Sequence, residues 1–360
     1  MTDGTILVVG GYGVVGRRIA SALGVLYPGR VVIAGRNAEQ AAKIATTIGS
    51  GIRSRAIDVT DSYSVTAALA GVGVVVSCID QPGRLLLKAA LARGLGYTDI
   101  TPHLTELGRG SAYQEIVSGA RASGARLILG CGIVPGISNV MVRALADSLG
   151  GADEIETSLL LGAGDISGPA SFDYFLQELA MTFDVHVEGR DRPHHALSVP
   201  RLIEFPSPIG ARRSYRFPFS DQVLYPHTMG VRTAVTRLAL EPDWLARVLG
   251  FIASSRFSRV LTIATVRRAI GEALRLRAAN AGALFALRVD VARGPLARHA
   301  SLCGQTQADA AAAGATEMAR LLIDRELAEP GAWMPEQVVN PAAVLSRLAA
   351  RGLNVNFAAG

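Results

Sequence analysis

The feature that most constrains this chain is a passage near its start. An apolar run, Ile6-Leu7-Val8-Val9, feeds through Gly10-Gly11-Tyr12-Gly13-Val14-Val15-Gly16 into an amphipathic stretch ending near Leu26. A β-branched run that breaks on glycine and resumes with helical periodicity reads as strand, tight turn and helix. The glycines meet three demands: the backbone turns sharply, approaches a ligand closely, and lets the helix sit against the strand. The free N–H groups and positive dipole end of such a helix accept a pyrophosphate. Gly10, Gly11, Tyr12, Gly13, Val14, Val15 and Gly16 are therefore the expected contacts to a dinucleotide.

The pattern repeats. From residue 5 to about 129, β-branched runs alternate with Ala/Leu-rich ones, which predicts a Rossmann-type, doubly wound parallel sheet in an α/β fold. The expected strands are Ile6–Val9, Val31–Ala34, Arg53–Ile57, Val72–Ser77, Tyr97–Ile100 and Arg126–Leu129. Helices are expected over Val14–Leu26, Ala38–Ile48, Ser62–Leu69, Pro82–Arg93 and Ser111–Ser123. At Gly132-Ile133-Val134-Pro135-Gly136 a turn leads into a new helix, Ile137–Leu149, and composition shifts. Strand-like segments punctuated by Pro and Gly follow, including Glu156–Leu161, Asp184–Glu188 and Ser214–Phe219, which predict a mostly antiparallel sheet. Residues 242–280 read as helical and Phe285–Val291 as a strand. Helical runs at Ala308–Glu326 and Pro341–Arg351 are expected to return and cover the first sheet. The expected division is 1–133, completed by 305–360, and an α+β substrate domain over 134–304.

Composition narrows the class. A chain of 360 residues suits two domains, and no apolar run reaches the length of a membrane span. No basic region precedes the first apolar run, so no export signal is expected. Cys78, Cys131 and Cys303 are too few for a disulfide framework, which fits a cytoplasmic location. The net charge of +6 rests on scattered arginines, Lys43 and Lys88 being the only lysines, and this argues against nucleic acid as a partner. His194-His195 has no partner at metal spacing, so no metal is expected.

At the end of the second strand, Ile33-Ala34-Gly35-Arg36-Asn37 lacks the acidic residue that grips a ribose hydroxyl in NAD enzymes. Gly35 leaves room for a 2′-phosphate and Arg36 offers it a forked charge-assisted contact, with Asn37 capping the next helix. The expected cofactor is NADPH/NADP+. Asp58 and Val59, after the third strand, are expected beside the adenine. Ligands of open α/β sheets sit beyond the carboxyl ends of the strands, which selects Cys78–Pro82, Asp99–His103 and Cys131–Gly136. Cys78, Ile79 and Asp80 are expected against the cofactor, and His103, Asp99 and Asp80 are the candidate proton-handling groups. Asp99 and His103 read equally well as loop braces, and Cys131 reads as packing or as a thiol near the substrate. In the second domain Arg213, Tyr225 and His227 are candidate substrate contacts. Alternation puts Arg212 and Arg216 on one strand face and Arg213 on the other, and one of these faces reads as a carboxylate site or, equally, as a solvated strand surface.

Several of these segments together resemble the saccharopine dehydrogenase-like oxidoreductases: Gly10–Gly16, Ala34–Asn37, Cys78–Gly83, Gly96–Thr101, Gly130–Asn139, Phe217–Gln222, Gly304–Gly314 and Pro330–Glu336. The resemblance implies a Rossmann domain with an inserted substrate and dimerisation domain, last helices that rejoin the first domain, and a homodimer. It implies an NADP-dependent reductase of a C=N or C=O group in a small metabolite. Reduction of a C=C bond and non-catalytic NADP(H) binding are the competing readings. Val134 stands where the family often has an acidic residue, which separates this chain from relatives acting on amino acids and marks Val134 as a candidate substrate contact.

Overall fold

Strand β1 (Thr5–Val9) is the hub of the first sheet, with Ile6, Leu7, Val8 and Val9 all fully buried. An apolar run without alternation is what a strand covered on both faces requires. The protein is described here by a computed structural model covering residues 4–100, 111–162, 175–255, 263, 265–266 and 284–359. Beside β1 lie β2 (Val31–Gly35), β3 (Arg53–Ala56), β4 (Val72–Ser77), β5 (Gly96–Asp99) and β6 (Arg126–Ile128). The helices between them are α1 (Val14–Leu26), α2 (Ala38–Ile48), α3 (Ser62–Ala68), α4 (Leu85–Ala92) and α5 (Ser111–Ser123). A short 3-10 turn, Pro82–Arg84, precedes α4, so the helix expected from Pro82 begins three residues later.

All pairings in this sheet are parallel, in the order β15-β6-β5-β4-β1-β2-β3. The seventh strand, β15 (Gly331–Trp333), comes from the far end of the chain and pairs with β6. The order reverses between β1 and β4, and the crevice above that switch point is where this architecture seats a ligand.

The chain divides into two units, residues 1–137 with 309–340 and residues 138–308 with 341–360. The first therefore contains most of α9 (Gln307–Ile323), β15 and the short α10 (Pro335–Val338). The last helix, α11 (Pro341–Ala349), belongs to the second unit rather than the first, contrary to the sequence reading. The cause is β16 (Asn356–Ala359), which pairs antiparallel with β14 and carries the tail with it.

The second unit begins with α6 (Ile137–Leu149) and is built on a nine-stranded mixed sheet. Its main path runs β10 (Ser198–Phe205), β11 (Gly210–Arg216), β12 (Thr233–Glu241), β7 (Glu154–Gly162), β13 (Phe285–Arg293), β14 (Leu296–Gly304) and β16. A hairpin of β8 (Thr182–Val187) and β9 (Arg190–His195) attaches through β12. The pairing of β12 with β7 is parallel; the others are antiparallel. The span read as helical from 242 contains α8 (Asp243–Ser254). A preceding helix, α7 (Asp221–Thr228), and the strand β12 escaped the sequence reading. Among the described residues, no helix is long and apolar enough to cross a membrane.

Candidate active site

The turn after β1 is shaped by backbone contacts that exclude side chains. Gly10 has φ +77°, and a methyl group on it would lie 2.4 Å from Ile79 Cγ2. A methyl on Gly16 would lie 2.3 Å from the Gly10 carbonyl oxygen, which already accepts the Gly13 N–H at 2.9 Å. Helix α1 can therefore rest directly on the turn. Gly13 is its N-cap and has no side chain to satisfy the first-turn N–H groups. Val14 and Val15 begin the helix, whose first turn holds no acidic residue to compete with an anion.

Beyond β2, the Tyr12 ring lies over Gly35, so close that a methyl there would sit 2.1 Å from Tyr12 Cε1. The space that the sequence reading reserved for phosphate above Gly35 is thus filled by an aromatic ring. An open pocket of about 600 Å³ lies alongside instead, lined by Tyr12, Arg36, Asn37, Ala38 and Glu39. Asn37 Oδ1 accepts the Gln40 N–H at 2.9 Å and caps α2. Arg36 is exposed on the pocket. Asp58 holds its own turn, accepting from the N–H and hydroxyl of Thr60 at 2.9 and 2.7 Å. Those bonds first, and the Arg36 charge last, keep its carboxyl below the usual range. Val59 is buried.

The ends of β4, β5 and β6 carry a partly buried polar chain that sequence reasoning did not connect, though Asp99 was among its candidates. Gln81 Nε2 donates to Tyr97 Oη at 2.6 Å and to Ser77 Oγ at 2.9 Å, while Gln81 Oε1 accepts the Leu87 N–H at 3.2 Å. Tyr97 donates to Asp99 Oδ2 at 3.2 Å, and Asp99 Oδ1 accepts the Gly130 N–H at 2.9 Å. The Asp99 carbonyl also accepts the Cys131 N–H at 2.7 Å. Burial raises the Asp99 carboxyl to about 6 against the lowering effect of these bonds and of Arg84. The same burial, with Asp99 nearby, pushes the Cys78 thiol up to about 12 and the Cys131 thiol well above its usual range. Alternation within Tyr97-Thr98-Asp99 was a usable signal, since it puts the phenol and carboxyl on one face; Gln81 lay within the selected Cys78–Pro82 segment, but no pattern tied it to Tyr97.

Of the other candidates, Asp80 is exposed, Val134 is buried in the central turn, and His103 lies outside the described residues. In the second unit the three expected substrate contacts do not present one surface. Arg213 approaches Asp243 at 3.9 Å, Tyr225 is buried within α7, and His227 is exposed on that helix's last turn. The segment Phe217–Gln222 is a brace. Gln222 Nε2 donates to the Phe217 and Phe219 carbonyls, Gln222 Oε1 accepts the Thr236 N–H, and Asp221 Oδ1 accepts the Thr236 hydroxyl.

Residues 6–123 match the family described as the saccharopine dehydrogenase NADP binding domain. This part of the chain is a saccharopine dehydrogenase-type NADP-binding domain. The whole chain has a saccharopine dehydrogenase-like fold. It superposes on apo saccharopine dehydrogenase (L-Glu forming) from Saccharomyces cerevisiae with a TM-score of 0.70 at 14% identity, over 99% of this chain and 100% of that one. The C. glutamicum DAP dehydrogenase in complex with DAP aligns over 98% of this chain and 99% of its own, at 16% identity and a TM-score of 0.48. No curated protein matches the chain by sequence.

Proposed function

We propose that the protein is an NADPH-dependent oxidoreductase that reduces a C=N or C=O group of a small metabolite. The observation that carries this reading is the cradle at Gly10–Gly16. Side chains are excluded there by contact, and the N-terminus of α1 is left for an anion. The Arg36 pocket beside it supports the 2′-phosphorylated cofactor. The residues fit the cofactor, which supplies hydride when bound.

The chain's own task is to hold that cofactor, shape the substrate side and handle one proton. Arg36 grips the 2′-phosphate, with Asn37 keeping the start of α2 in place. Asp99 serves as a positioning residue: its side chain is 7% exposed and holds the Gly130–Cys131 backbone at the carboxyl end of β6. Cys131 carries a thiol pushed far from ionisation and packs rather than reacts. Asp80 and His103 then remain for proton transfer. A homodimer in the cytoplasm belongs to the same reading, supported by the family resemblance and by three cysteines that remain free.

Turnover with stereospecifically labelled NADPH on imine, carbonyl and enoyl compounds tests the reaction class. Label is expected on a carbon that was doubly bonded to nitrogen or oxygen and keeps a single bond to it. Label delivered only to enoyl carbon would replace the proposal with C=C reduction. Asp80→Asn and His103→Ala are expected to divide the loss of turnover at unchanged NADPH affinity; full rates in both would remove them as proton carriers.

A further inference from the structure

The second unit carries a charged array that the cofactor cradle does not use. Strand register puts Ser198 of β10 opposite Arg216 of β11, Arg216 opposite Arg237 of β12, and Arg237 opposite Ser158 of β7. Ser158 in turn faces Arg288 of β13. Opposed residues share a face, so three guanidiniums and two serine hydroxyls form one row across five strands. Like charges directly opposite destabilise a sheet, and the adjacent row compensates two of the three. Glu156 takes Arg237, along with Arg201 from β10, and Asp290 takes Arg288 at 2.7 Å.

Arg216 has no carboxylate partner among the described residues. Its Nη1 donates to His194 Nε2, which requires a neutral imidazole. Burial and then the Arg216 charge lower the His194 pKa in the same direction. Arg216 Nε is buried and makes no hydrogen bond, and neither do the hydroxyls of Ser158, Ser198 and Ser214. Ser158 and Ser214 are fully buried. Ser214 lies two residues before Arg216, hence on the same face. Glu156 acts on Arg216 only through space. Buried polar atoms of native proteins are nearly always paired, so the unpaired Arg216 Nε, with the unpaired Ser198 and Ser214 hydroxyls beside it, calls for an acceptor from outside the chain.

We infer that this row binds an oxyanion, a carboxylate or phosphate group of a small molecule, held by Arg216 with the hydroxyls of Ser198 and Ser214 beside it. A guanidinium fork matches either anion in geometry and charge. The opposite face cannot substitute, because Arg213 points the other way, toward Asp243 at the start of α8.

Isothermal titration of the full chain with inorganic phosphate, and separately with glutarate, tests this at saturating NADPH, so that the first unit's phosphate site is filled. Binding of at least one probe is expected, weakened at least ~10-fold by Arg216→Gln and unchanged by Arg213→Gln. Phosphate alone binding assigns a phosphoryl ligand; glutarate alone assigns a carboxylate. No binding of either, or binding retained in Arg216→Gln, overturns the inference. Should that variant fail to fold, Ser214→Ala is expected to weaken the probe several-fold, and an unchanged affinity overturns the inference equally. NADPH affinity measured on the same samples tests the cofactor reading separately.

Discussion

At Gly35 and Arg36 two neighbouring residues share one task by different means. Gly35 lets the Tyr12 ring approach the strand end closely, and that ring walls the pocket on which Arg36 stands. Arg36→Ala is expected to weaken NADPH by ~10–100-fold, the range of one charge-assisted contact, and to leave NADH nearly unchanged. Fluorescence titration with both cofactors checks this, and equal losses would remove Arg36 from the phosphate. Asp99 makes a second prediction. Its carboxyl moves from 3.8 to about 6 on folding, because burial disfavours the charge. The native state then holds its proton more tightly than the unfolded chain. The stabilisation is complete below pH ~4 and is lost as pH rises through ~6, a difference of ~3 kcal/mol. Urea midpoints of Asp99→Asn are therefore expected to fall less between pH 4 and 6 than those of the native protein.

Among the elements, α1 depends most on a single contact. Gly16→Ala would put a methyl against a backbone oxygen that already accepts a hydrogen bond, so the helix must move away from β1. A stability loss of ~1–3 kcal/mol is expected, together with most of the NADPH affinity, because the anion site is that helix's N-terminus. Gly35→Ala meets only the Tyr12 ring, which can swing aside, so it is expected to be the milder change in thermal denaturation. Helix α2 relies on the Asn37 cap, worth ~1 kcal/mol. The strand–turn–helix character of these elements was legible because strand, turn and cap lie within about 30 residues. Strand β12 and helix α7 were not legible. Strand β12 is defined by its ladder to β7, and α7 is tied to β12 through Asp221 and Gln222; neither set of partners can be read from local periodicity.

For the whole molecule, division into two units predicts how ligands act on unfolding. NADPH at ~100 times its dissociation constant should add ~2.7 kcal/mol to the unit that binds it. Calorimetry is expected to resolve one transition that NADPH raises and another that it leaves in place; a single transition moving as one would mean that the units unfold together. The tail shows where local reading ended. Its helical runs were visible, but residues 309–340 return to the first unit while 341–360 follow β16 into the second sheet. By itself the sequence determined the parallel sheet, the glycine cradle and Arg36 at the next strand end, since each arises from neighbours in the chain under backbone sterics. Only the tertiary structure decided that Tyr12 fills the space over Gly35, that Gln81, Tyr97 and Asp99 form one partly buried chain, and that Arg216, Arg237 and Arg288 align in a row. Those arrangements depend on strand register and side-chain packing between segments tens of residues apart, which local periodicity does not encode.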